Sequence, residues 1–409
     1  MQDFDLIIVG GGIAGGSLAT VMARAGADVL VLERQSEFRD QVRGELLWPW
    51  GVRVAQHLDL ESVFIAAGAL VVRWMVAHDE RSGTPQTSDV GMVLGGVEGS
   101  VNLAHPVACR ALLDAATSAG ADVRLGVRDV QVSVGVRPSA RWVGEGDEVL
   151  EASAALAVGA DGRRSSVRLH ASIPFELDPT AHQITGVLVD GVEGMDIDAN
   201  LAARESDLLF LAFPQNDGRA RLYFNFPTEQ RTRFAGKDAA RRFLDACRLH
   251  CLNGAGEWHM AHPAGPCATF PGADSRARVP LAEGVVLIGD AAGFENPLRG
   301  QGLAMALQDV HDVSRALLSG APPSEALQQY VDARAVRQRL AHLATAVTVW
   351  AHDGFSKQDP ELRASRTLHC RQDDVLAALS SSIWSGYDGL PQDVTAAEVA
   401  TRLDAYDRR

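Results

Sequence analysis

This chain of 409 residues has few cysteines, no long apolar run and no excess of positive charge. The five cysteines are an odd number without any Cys-x-x-Cys pair, so neither a disulfide framework nor a zinc site is indicated. The sequence therefore predicts no metal centre and a reducing, cytoplasmic location, in which thiols stay reduced.

Long hydrophobic segments are also missing, because no apolar stretch approaches the roughly 18 residues that suggest a membrane-spanning helix. The apolar run at residues 4–9 is short and has Asp3 before it and Asp5 within it. This run fits a buried strand better than a secretory signal. We expect no membrane span.

The charge balance is acidic, since 52 Asp and Glu against 38 Lys and Arg give a formal net charge of −14. Binding to nucleic acid needs a basic surface that neutralises phosphates. We therefore expect no nucleic-acid partner.

What the chain does have is glycine in three fragments, the first of them directly after the apolar run. It reads Gly10-Gly11-Gly12-Ile13-Ala14-Gly15. Gly10 permits a tight turn, Gly12 lets the backbone approach a pyrophosphate, and Gly15 lets the helix predicted at 13–25 pack closely on the strand. The helix N-terminus offers unpaired N–H groups to phosphates. Glu33 ends the next buried strand, where it can accept hydrogen bonds from ribose hydroxyls, so the fragment predicts dinucleotide binding; a tight turn without a ligand is the alternative.

The last fragment is the most specific. It reads Gly289-Asp290-Ala291-Ala292-Gly293, followed by Pro297 and by Gly300-Gln301-Gly302-Leu303. Asp290 closes the strand predicted at 285–288, so its carboxylate lies at the carboxyl edge of the sheet and suits the hydroxyls of a ribitol chain. The helix that opens at Gly302 would present its positive end to N1 and O2 of a flavin. Together with Gly159-Ala160-Asp161-Gly162, these fragments predict FAD bound along its whole length; a helix N-cap is the alternative role of Asp290.

The period of the apolar residues changes along the chain and divides it into units. The glycine fragments lie among buried strands of parallel type, whereas 181–270 alternates apolar and polar residues and is rich in β-favouring types. We expect an α/β fold, with a mainly antiparallel sheet inserted into a Rossmann-like FAD-binding unit of the glutathione-reductase type. The predicted boundaries are an FAD-binding domain at 1–75, 100–180 and 271–325, a substrate-binding sheet domain at 76–99 and 181–270, and a C-terminal helical segment at 326–409.

The fragments together resemble the single-component (group A) FAD-dependent aromatic hydroxylases, the monooxygenase family with the para-hydroxybenzoate hydroxylase fold. The resemblance covers residues 4–345. It implies an oxidoreductase in which NADPH or NADH reduces FAD and O2 then forms a flavin C4a-hydroperoxide that hydroxylates an aromatic or polyketide-like small molecule. The chain has no second Gly-x-Gly-x-x-Gly unit to hold the nicotinamide cofactor, so that cofactor would bind transiently.

The same resemblance implies roles for individual residues. By similarity, Glu33 and Arg34 hold the adenosine ribose, Arg43 reaches toward the flavin, Arg110 contacts the ribityl and phosphate region, Asp161-Gly162 serves FAD and the nicotinamide, Asp290 binds ribitol and Pro297 lies beside the isoalloxazine. Two positions depart from the family: many members have histidine at Gly293 and asparagine near Ala304 and Met305. These departures leave the reaction type more open than flavin binding.

The substrate pocket is expected between the inserted sheet and the flavin ring. Its candidate residues are Tyr223, Asn225, Trp258, His259, Phe294 and Asn296, for which core packing is the alternative. No catalytic base is identifiable, because the twelve histidines show no triad-like spacing. Trp350 and Trp384 either cover the pocket or make a dimer contact, and the sequence is compatible with a monomer or a homodimer.

Three other functions stay open: a reductase or dehydrogenase of an isoprenoid or quinone, a flavin halogenase, and a non-catalytic flavoprotein. A glycine at the position of Gly293 also occurs in prenyl-chain reductases and flavin halogenases of the same superfamily. The halogenase signature Trp-x-Trp-x-Ile-Pro is missing, since Trp48-Pro49-Trp50 continues as Gly51-Val52. Turnover without oxygen would favour the reductase.

Overall fold

The computed structural model describes residues 2–42, 44–352 and 360–407. Its strands, numbered in chain order, are β1 Gln2–Val9, β2 Val29–Leu32, β3 Leu46–Leu47, β4 Leu70–Val72, β5 Trp74–Asp79, β6 Ser82–Asp89, β7 Ser100–Asn102, β8 Asp122–Arg124, β9 Arg128–Ser133, β10 Ser139–Val143, β11 Val149–Gly159, β12 Glu176–Leu177, β13 His182–Asp190, β14 Ala199–Glu205, β15 Leu208–Pro214, β16 Arg219–Phe226, β17 His262–Pro263, β18 Ala268–Gly272, β19 Ser275–Arg276, β20 Leu281–Ala282 and β21 Val285–Leu287.

The α-helices are α1 Ile13–Arg24, α2 Pro49–His57, α3 Glu61–Ala66, α4 His105–Ser118, α5 Ser166–His170, α6 Ala239–Ala246, α7 Gly302–Leu318, α8 Pro323–Ala351, α9 Pro360–Gln372, α10 Asp374–Ser385 and α11 Ala396–Asp407. Short 3₁₀ turns lie at Val90–Met92, Thr228–Gln230, His250–Leu252, Trp258–Met260, Gly289–Ala291 and Pro297–Arg299. Within the described ranges, no helix combines the length and the apolarity that crossing a membrane requires.

The main sheet has the strand order β20-β21-β11-β1-β2-β8, and β10 joins it beside β11, with β9 beside β10. The pairings from β21 to β8 are parallel, whereas β20 with β21, β10 with β11 and β9 with β10 are antiparallel. Its central strand β1 carries Ile7 and Ile8, which are fully buried, as expected for a strand covered on both faces. Helix α1 packs between this sheet and its neighbours α4 and α7. Because β1, β2, β11 and β21 are parallel, the loops that follow them meet at one edge of the sheet.

The second sheet has the order β17-β13-β16-β15-β14-β5-β6, and β18 pairs with β13. Its pairs are antiparallel apart from β14 with β5, which run parallel. This sheet confirms the predicted α/β fold with an inserted, mainly antiparallel sheet. The exact domain boundaries stay a prediction.

Alternation along these strands creates two different faces. One side, called here the packing face, includes Val187, Leu201, Ala203, Phe210, Leu222, Phe224 and Phe226, all of them buried in one apolar cluster. On this side Phe224 stacks on Phe234 with ring centroids 5.7 Å apart and contacts Phe243 at 4.8 Å. The opposite side, called here the cavity face, presents Ile184, Ala202, Arg204, Leu209, Leu211, Phe213, Tyr223 and Asn225 to a large cavity.

The C-terminal helices pack against the rest of the molecule. Helix α8 packs on α7, and α10 packs on both α8 and α2. Pro322 lies between α7 and α8, and Pro323 is the first residue of α8.

Candidate active site

One cavity of about 1730 Å³ extends from the carboxyl edge of the main sheet to the cavity face of the second sheet. Most of the predicted cofactor residues line it: Gly10, Gly12, Ile13, Ala14, Glu33, Arg34, Asp161, Gly162, Asp290, Pro297, Gly300, Gly302 and Leu303. Residues from distant parts of the chain therefore meet around a single space.

The first glycine loop has the backbone that its sequence predicts. Gly10 has φ +102°, and a side chain there would overlap the carbonyl group of Ala160. Gly15 packs directly on the carbonyl oxygen of Gly10. Above Gly12, by contrast, no atom lies within 4 Å of where a Cβ would stand. The turn is closed toward the sheet and open toward the cavity, which suits the approach of a diphosphate to the N-terminus of α1.

Glu33 connects this loop to the end of β2. Its Oε2 accepts a hydrogen bond from the Gly11 N–H at 2.6 Å, and its Oε1 accepts one from the Gln35 N–H at 2.8 Å. The carboxylate is buried, but each oxygen keeps a further lone pair. Glu33 can thus position the loop and still accept a hydrogen bond from a ribose hydroxyl.

Asp161 and Asp290 face the cavity from neighbouring strand ends. Asp161 Oδ2 accepts hydrogen bonds from the N–H and the hydroxyl of Ser166, whereas its buried Oδ1 accepts none from the described residues. Asp290 lies 3.7 Å from the Nε of Arg163, whose guanidinium stacks on the Phe294 ring at 3.1 Å from the ring centroid. The edge of the sheet therefore offers carboxylate acceptors beside one cation.

A buried ion network holds the turn that carries Asp290. Asp309 Oδ2, on α7, accepts hydrogen bonds from the Gly289 N–H at 2.9 Å and from Arg334 Nε at 3.0 Å. Arg337 contacts Asp309 Oδ1 at 3.3 Å and Asp312 Oδ2 at 3.0 Å. Since a buried charge is tolerated only when it is paired, these contacts fix the turn to α7 and α8.

The loop from Pro297 to Gly302 is fixed by side chains from both ends of the chain. Trp48 Nε1 donates to the carbonyl of Arg299 at 2.8 Å, and Trp50 Nε1 donates to Gln301 Oε1 at 2.8 Å. Arg299 in turn donates to the Leu379 carbonyl at 3.1 Å and to Ser382 Oγ at 2.9 Å. The C-terminal helix α10 is thus part of the support of this loop.

The cavity face carries a polar group in the middle of an apolar wall. The Tyr223 hydroxyl donates to Glu45 Oε2 at 2.5 Å, and Arg221 Nε lies 3.1 Å from Glu45 Oε1. Burial raises the pKa of Glu45, against the opposing charge of Arg221. Burial, and next the charge of Glu45, also raises the pKa of Tyr223 well above its usual value. The pair is a phenol that donates a hydrogen bond to a buried carboxyl group at the cavity wall.

A second carboxyl group, Glu295, lies in the loop between Asp290 and Pro297. It is buried, it lines the cavity, and its Oε1 has no hydrogen-bond partner among the described residues. Burial, and next the charge of Asp274, raises the pKa of Glu295 to about 8. Near neutral pH this group carries its proton.

Some predicted residues lie elsewhere. Trp258 is on the packing face, 5.7 Å from the Phe210 ring, and donates to the Ala255 carbonyl. Neither Trp258 nor His259 lines the cavity, so the structure does not support their assignment to the substrate pocket. Asn296 caps the Pro297–Arg299 turn through its Oδ1 and lines a smaller, second pocket.

Arg110 pairs with Asp114 on its own helix at 2.9 Å and is exposed, so it does not line the cavity either. Gly15 and Gly289 act through the backbone just behind the cavity wall. Arg43 lies outside the described residues. Tyr223, Asn225 and Phe294 line the cavity as predicted, and their contact with a substrate stays a prediction.

Sequence reasoning missed several cavity residues, among them Glu45, Arg163, Arg204, Phe270 and Arg363. Trp384, one of the two tryptophans expected to cover the pocket or to make a dimer contact, lines this cavity, and Trp350 lines the second pocket. A dimer contact through either residue stays a prediction. The position of Glu45, two residues after the predicted Arg43, was the signal that could have identified it.

One cluster has the composition of a metal site. Ligand-type atoms of Asp178, Asp274 and His342 lie within 4.8 Å of one another beside the second pocket. Arg276 donates to Asp178 Oδ2 at 2.9 Å, and His342 Nδ1 lies 3.4 Å from both carboxylates. The cluster is therefore an ion-paired group joined to the Asn296 N–H through Asp274 Oδ1 at 2.6 Å.

Taken together, the residues present fit an FAD molecule. The open space above Gly12 suits the diphosphate, and Glu33 and Asp290 offer acceptors for sugar hydroxyls. The buried Asp161 Oδ1 is an acceptor without a hydrogen-bond partner among the described residues, and a donor on a ligand would satisfy it. The N-terminus of α7 at Gly302 adds partial positive charge at the far end of the cradle.

Comparison with known proteins agrees with this geometry. The family model described as FAD binding domain matches residues 3–344. Squalene monooxygenase of Rattus norvegicus is 28% identical over 343 residues, which are 79% of this chain and 56% of that protein. Rifampicin monooxygenase of Streptomyces venezuelae is 27% identical over 338 residues, 80% of this chain and 67% of that protein. The chain thus spans little more than half the length of the squalene monooxygenase it matches.

Solved structures show the same fold. The flavin-dependent halogenase CmlS superposes with a TM-score of 0.74 at 18% identity, over 100% of this chain and 78% of that chain. Aklavinone-11 hydroxylase, solved with FAD and aklavinone, superposes with a TM-score of 0.69 at 20% identity, over 85% and 69% of the two chains. The family model confirms the resemblance that the glycine fragments indicated, and the solved structures confirm the fold.

Proposed function

We propose a function from the premise that this chain belongs to the FAD binding domain family, the family of the FAD-dependent aromatic hydroxylases. The chain is an FAD-dependent monooxygenase that uses NADPH or NADH and O2 to hydroxylate an aromatic or polyketide-like small molecule. The observation that carries this proposal is the continuity of one cavity from the cofactor cradle to the cavity face of the second sheet. Cofactor and substrate can therefore lie side by side without a barrier between them.

FAD, when bound and reduced, supplies the activation of O2 for transfer of one oxygen atom to the substrate. Gly12, Glu33 and Asp161 would hold its adenosine and diphosphate part, and Asp290 with the Pro297–Gly302 loop would hold its ribitol and ring. The apolar side chains Leu209, Leu211 and Phe213 exclude water and orient an aromatic ring by shape.

Tyr223 and Glu45 provide a route for a proton at the substrate. A substrate hydroxyl placed against the Tyr223 oxygen can give up its proton while Tyr223 passes its own to Glu45 Oε2. Electron-rich, deprotonated phenols are the more reactive substrates for hydroxylation, so this pair would raise the reactivity of the bound ring. Glu295, protonated near neutral pH, is the second group that can donate a proton at the cavity.

A substrate screen tests the proposal. The purified protein should be yellow, and a panel of phenols, quinones and polycyclic aromatic compounds should contain members that stimulate both NADPH oxidation and O2 uptake. Their products should gain one oxygen atom, which carries the label when isotopically labelled O2 is supplied. Turnover that continues without O2, or NADPH oxidation that never yields an oxygenated product, would argue for a reductase instead.

The matched variants are Asp290→Asn and Asp404→Asn. Asp290 lines the cavity and Asp404 is exposed on α11. FAD retention on gel filtration should fall only in the first variant, because only the first loses a carboxylate acceptor for the ribitol chain. Equal retention by the two variants contradicts the role of Asp290. The same column distinguishes a monomer from a homodimer.

A further inference from the structure

Asn225 places a side-chain amide on the cavity face of the second sheet. The residue lies on β16 and is only 1% exposed, yet it lines the cavity. Its Oδ1 has no hydrogen-bond partner among the described residues. Because a buried amide without a partner costs free energy, this group needs a partner from a ligand or from water in the cavity.

The strand register explains why the neighbouring side chains of the sheet leave this amide unsatisfied. The residue opposite Asn225 is Ile184 on β13 and Leu209 on β15. Both line the same cavity, and neither has a hydrogen-bonding side chain. The next residue on this face of β16 is Tyr223, roughly 7 Å along the strand. Its hydroxyl already donates to Glu45, so the amide stands between two apolar side chains.

The same row of side chains leads from the amide to the cofactor end of the cavity. Ile184 is opposite Phe270 on β18. Phe270 lies near the predicted ribitol site, because the Arg163 guanidinium is 5.9 Å from its ring centroid and Arg163 Nε is 3.7 Å from Asp290. Neighbouring strands are about 4.8 Å apart, so Asn225, two strands away, lies roughly 10 Å from Phe270. A flat ring system can occupy this span.

A primary amide recognises a particular pair of groups on a ligand. Its Nδ2 donates hydrogen bonds and its Oδ1 accepts them, and both atoms lie in one plane. A ligand edge on which a carbonyl stands beside an N–H or O–H satisfies both atoms at once. A carboxylate offers acceptors alone and would leave the Oδ1 of Asn225 without a donor. The amide therefore suits a neutral edge that has a donor and an acceptor side by side.

We propose that Asn225 determines substrate specificity by binding a carbonyl and an adjacent N–H or O–H on one edge of a flat aromatic substrate. The inference rests on the proposed function and deepens it. Ile184 and Leu209 pack against the rings beside that edge, and the opposite edge points toward Phe270 and the cofactor end. The substrate class is a neutral polycyclic aromatic lactam or hydroxyketone.

Two pairs of probes test this specificity without turnover. In the lactam pair, isoquinolin-1(2H)-one has the N–H and 2-methylisoquinolin-1-one has a methyl group in its place. The hydroxyketone pair is 3-hydroxychromen-4-one and 3-methoxychromen-4-one. Titration calorimetry on the FAD-loaded protein, without NADPH, should show the unmethylated member of one pair binding about tenfold tighter, because methylation leaves the Oδ1 of Asn225 buried without a donor. The pair that shows the difference identifies the substrate as a lactam or a hydroxyketone. Equal affinities within both pairs, or no binding of any probe, overturn the proposal.

Two substitutions localise the preference. Asn225→Leu keeps the approximate size of the side chain and removes both polar atoms, so the preference for the unmethylated probe should disappear. Naphthalene should bind this variant more tightly than it binds the parent protein, because its binding no longer buries an unpaired amide. Asn216→Leu, at an exposed asparagine between β15 and β16, should change neither result. A preference that persists in Asn225→Leu comes from the bulk of the methyl group and contradicts the assignment.

Asn225→Ser keeps the test decisive if Asn225→Leu does not fold. The serine hydroxyl can replace only part of the amide, so the preference should fall below that of the parent protein. An undiminished preference in Asn225→Ser contradicts the role of Asn225, and so does loss of all probe binding together with a large loss of stability, which would make Asn225 a structural residue.

The binding measurements are independent of the proposed reaction because they omit NADPH. A preference for the unmethylated probes without any oxygenated product leaves the role of Asn225 in place and contradicts the proposed hydroxylation. Oxygenated products together with equal affinities within both pairs contradict the role of Asn225 alone. The two conclusions therefore fail separately.

Discussion

The two faces of the second sheet come from the same strands and have opposite chemistry. The packing face is filled by aromatic and aliphatic side chains, with Phe224 between Phe234 and Phe243. The cavity face mixes apolar residues with the polar side chains of Tyr223, Asn225, Arg221 and Arg204, all of them buried. Residues that neighbour each other in sequence therefore divide into a group that stabilises the fold and a group that is available to a ligand.

The largest difference in stability loss between the two faces is expected for alanine substitutions at the adjacent residues Phe224 and Asn225. Phe224→Ala should lower the free energy of unfolding by about 3–5 kcal/mol, because it leaves a cavity in a closely packed aromatic cluster. Asn225→Ala should cost far less, since the Oδ1 of Asn225 has no hydrogen-bond partner among the described residues. Denaturant titration of both variants checks this, and equal losses would remove the distinction between the faces.

The second comparison concerns how the free energy of unfolding depends on pH. His182 lies on β13 in the alternation of the cavity face and is fully buried. Burial lowers its pKa to about 4, so the folded protein holds it neutral while the unfolded chain takes up a proton below about 6.5. Keeping His182 neutral therefore costs no unfolding free energy above pH 6.5. As the pH falls from 6.5 toward 4 the free energy of unfolding decreases, and at pH 5 the decrease is about 2 kcal/mol.

His182→Gln should therefore flatten the fall in unfolding free energy between pH 6.5 and pH 5. Phe224→Leu, on the packing face, is the control, because it removes no titratable group and should leave the pH slope unchanged. The same slope in His182→Gln and the parent protein would show that His182 is protonated in the folded state.

A third comparison uses two adjacent alanines. Both border the cavity, but Ala203 is fully buried in the apolar cluster of the packing face, whereas Ala202 is half-buried on the cavity face. Ala203→Leu should cost about 1–3 kcal/mol of stability by overpacking. Ala202→Leu should leave stability nearly unchanged and weaken binding of aromatic ligands, measured by calorimetry. The opposite pattern would mean that the faces have been assigned the wrong way round.

Tyr223→Phe is expected to change hydroxylation much more than stability. It removes one hydrogen bond to Glu45, worth about 1 kcal/mol. Hydroxylation should fall by about 10²-fold or more if the pair moves a proton, with the largest loss for phenols of high pKa. Leu222→Val, the neighbour on the packing face, is the control for a small change in packing, and a uniform loss across all phenols would contradict the proton route.

The nucleotide half of the site was predictable because its signals are local. Gly10, Gly15 and Glu33 act through the backbone of one strand, one turn and one helix, and the structure places them accordingly. Asp290 was predictable for the same reason, since the end of a parallel strand fixes which edge of the sheet it occupies.

The substrate half was less predictable because alternation along a strand defines two faces and does not say which one is covered. Trp258 was a candidate for the substrate pocket, with core packing as the alternative, and it packs on Phe210 on the other side of the sheet. Arg204 and Arg363 lie far apart in the chain and meet only through the docking of α9, which no local pattern indicates. The roles of the C-terminal helices depend on such long-range contacts.

Gln301 illustrates what those contacts mean for anyone who shortens or recombines proteins of this kind. Its amide nitrogen donates to the Arg299 carbonyl at 2.9 Å and to the Ile383 carbonyl at 3.2 Å, beyond the segment that the family model matches. A chimera that keeps only residues up to 344 would retain the three glycine fragments. It would lose the hydrogen bond from Gln301 to the Ile383 carbonyl, which supports the loop from Pro297 to Gly302. We expect such a protein to bind the adenosine end of FAD and to leave the flavin ring poorly fixed.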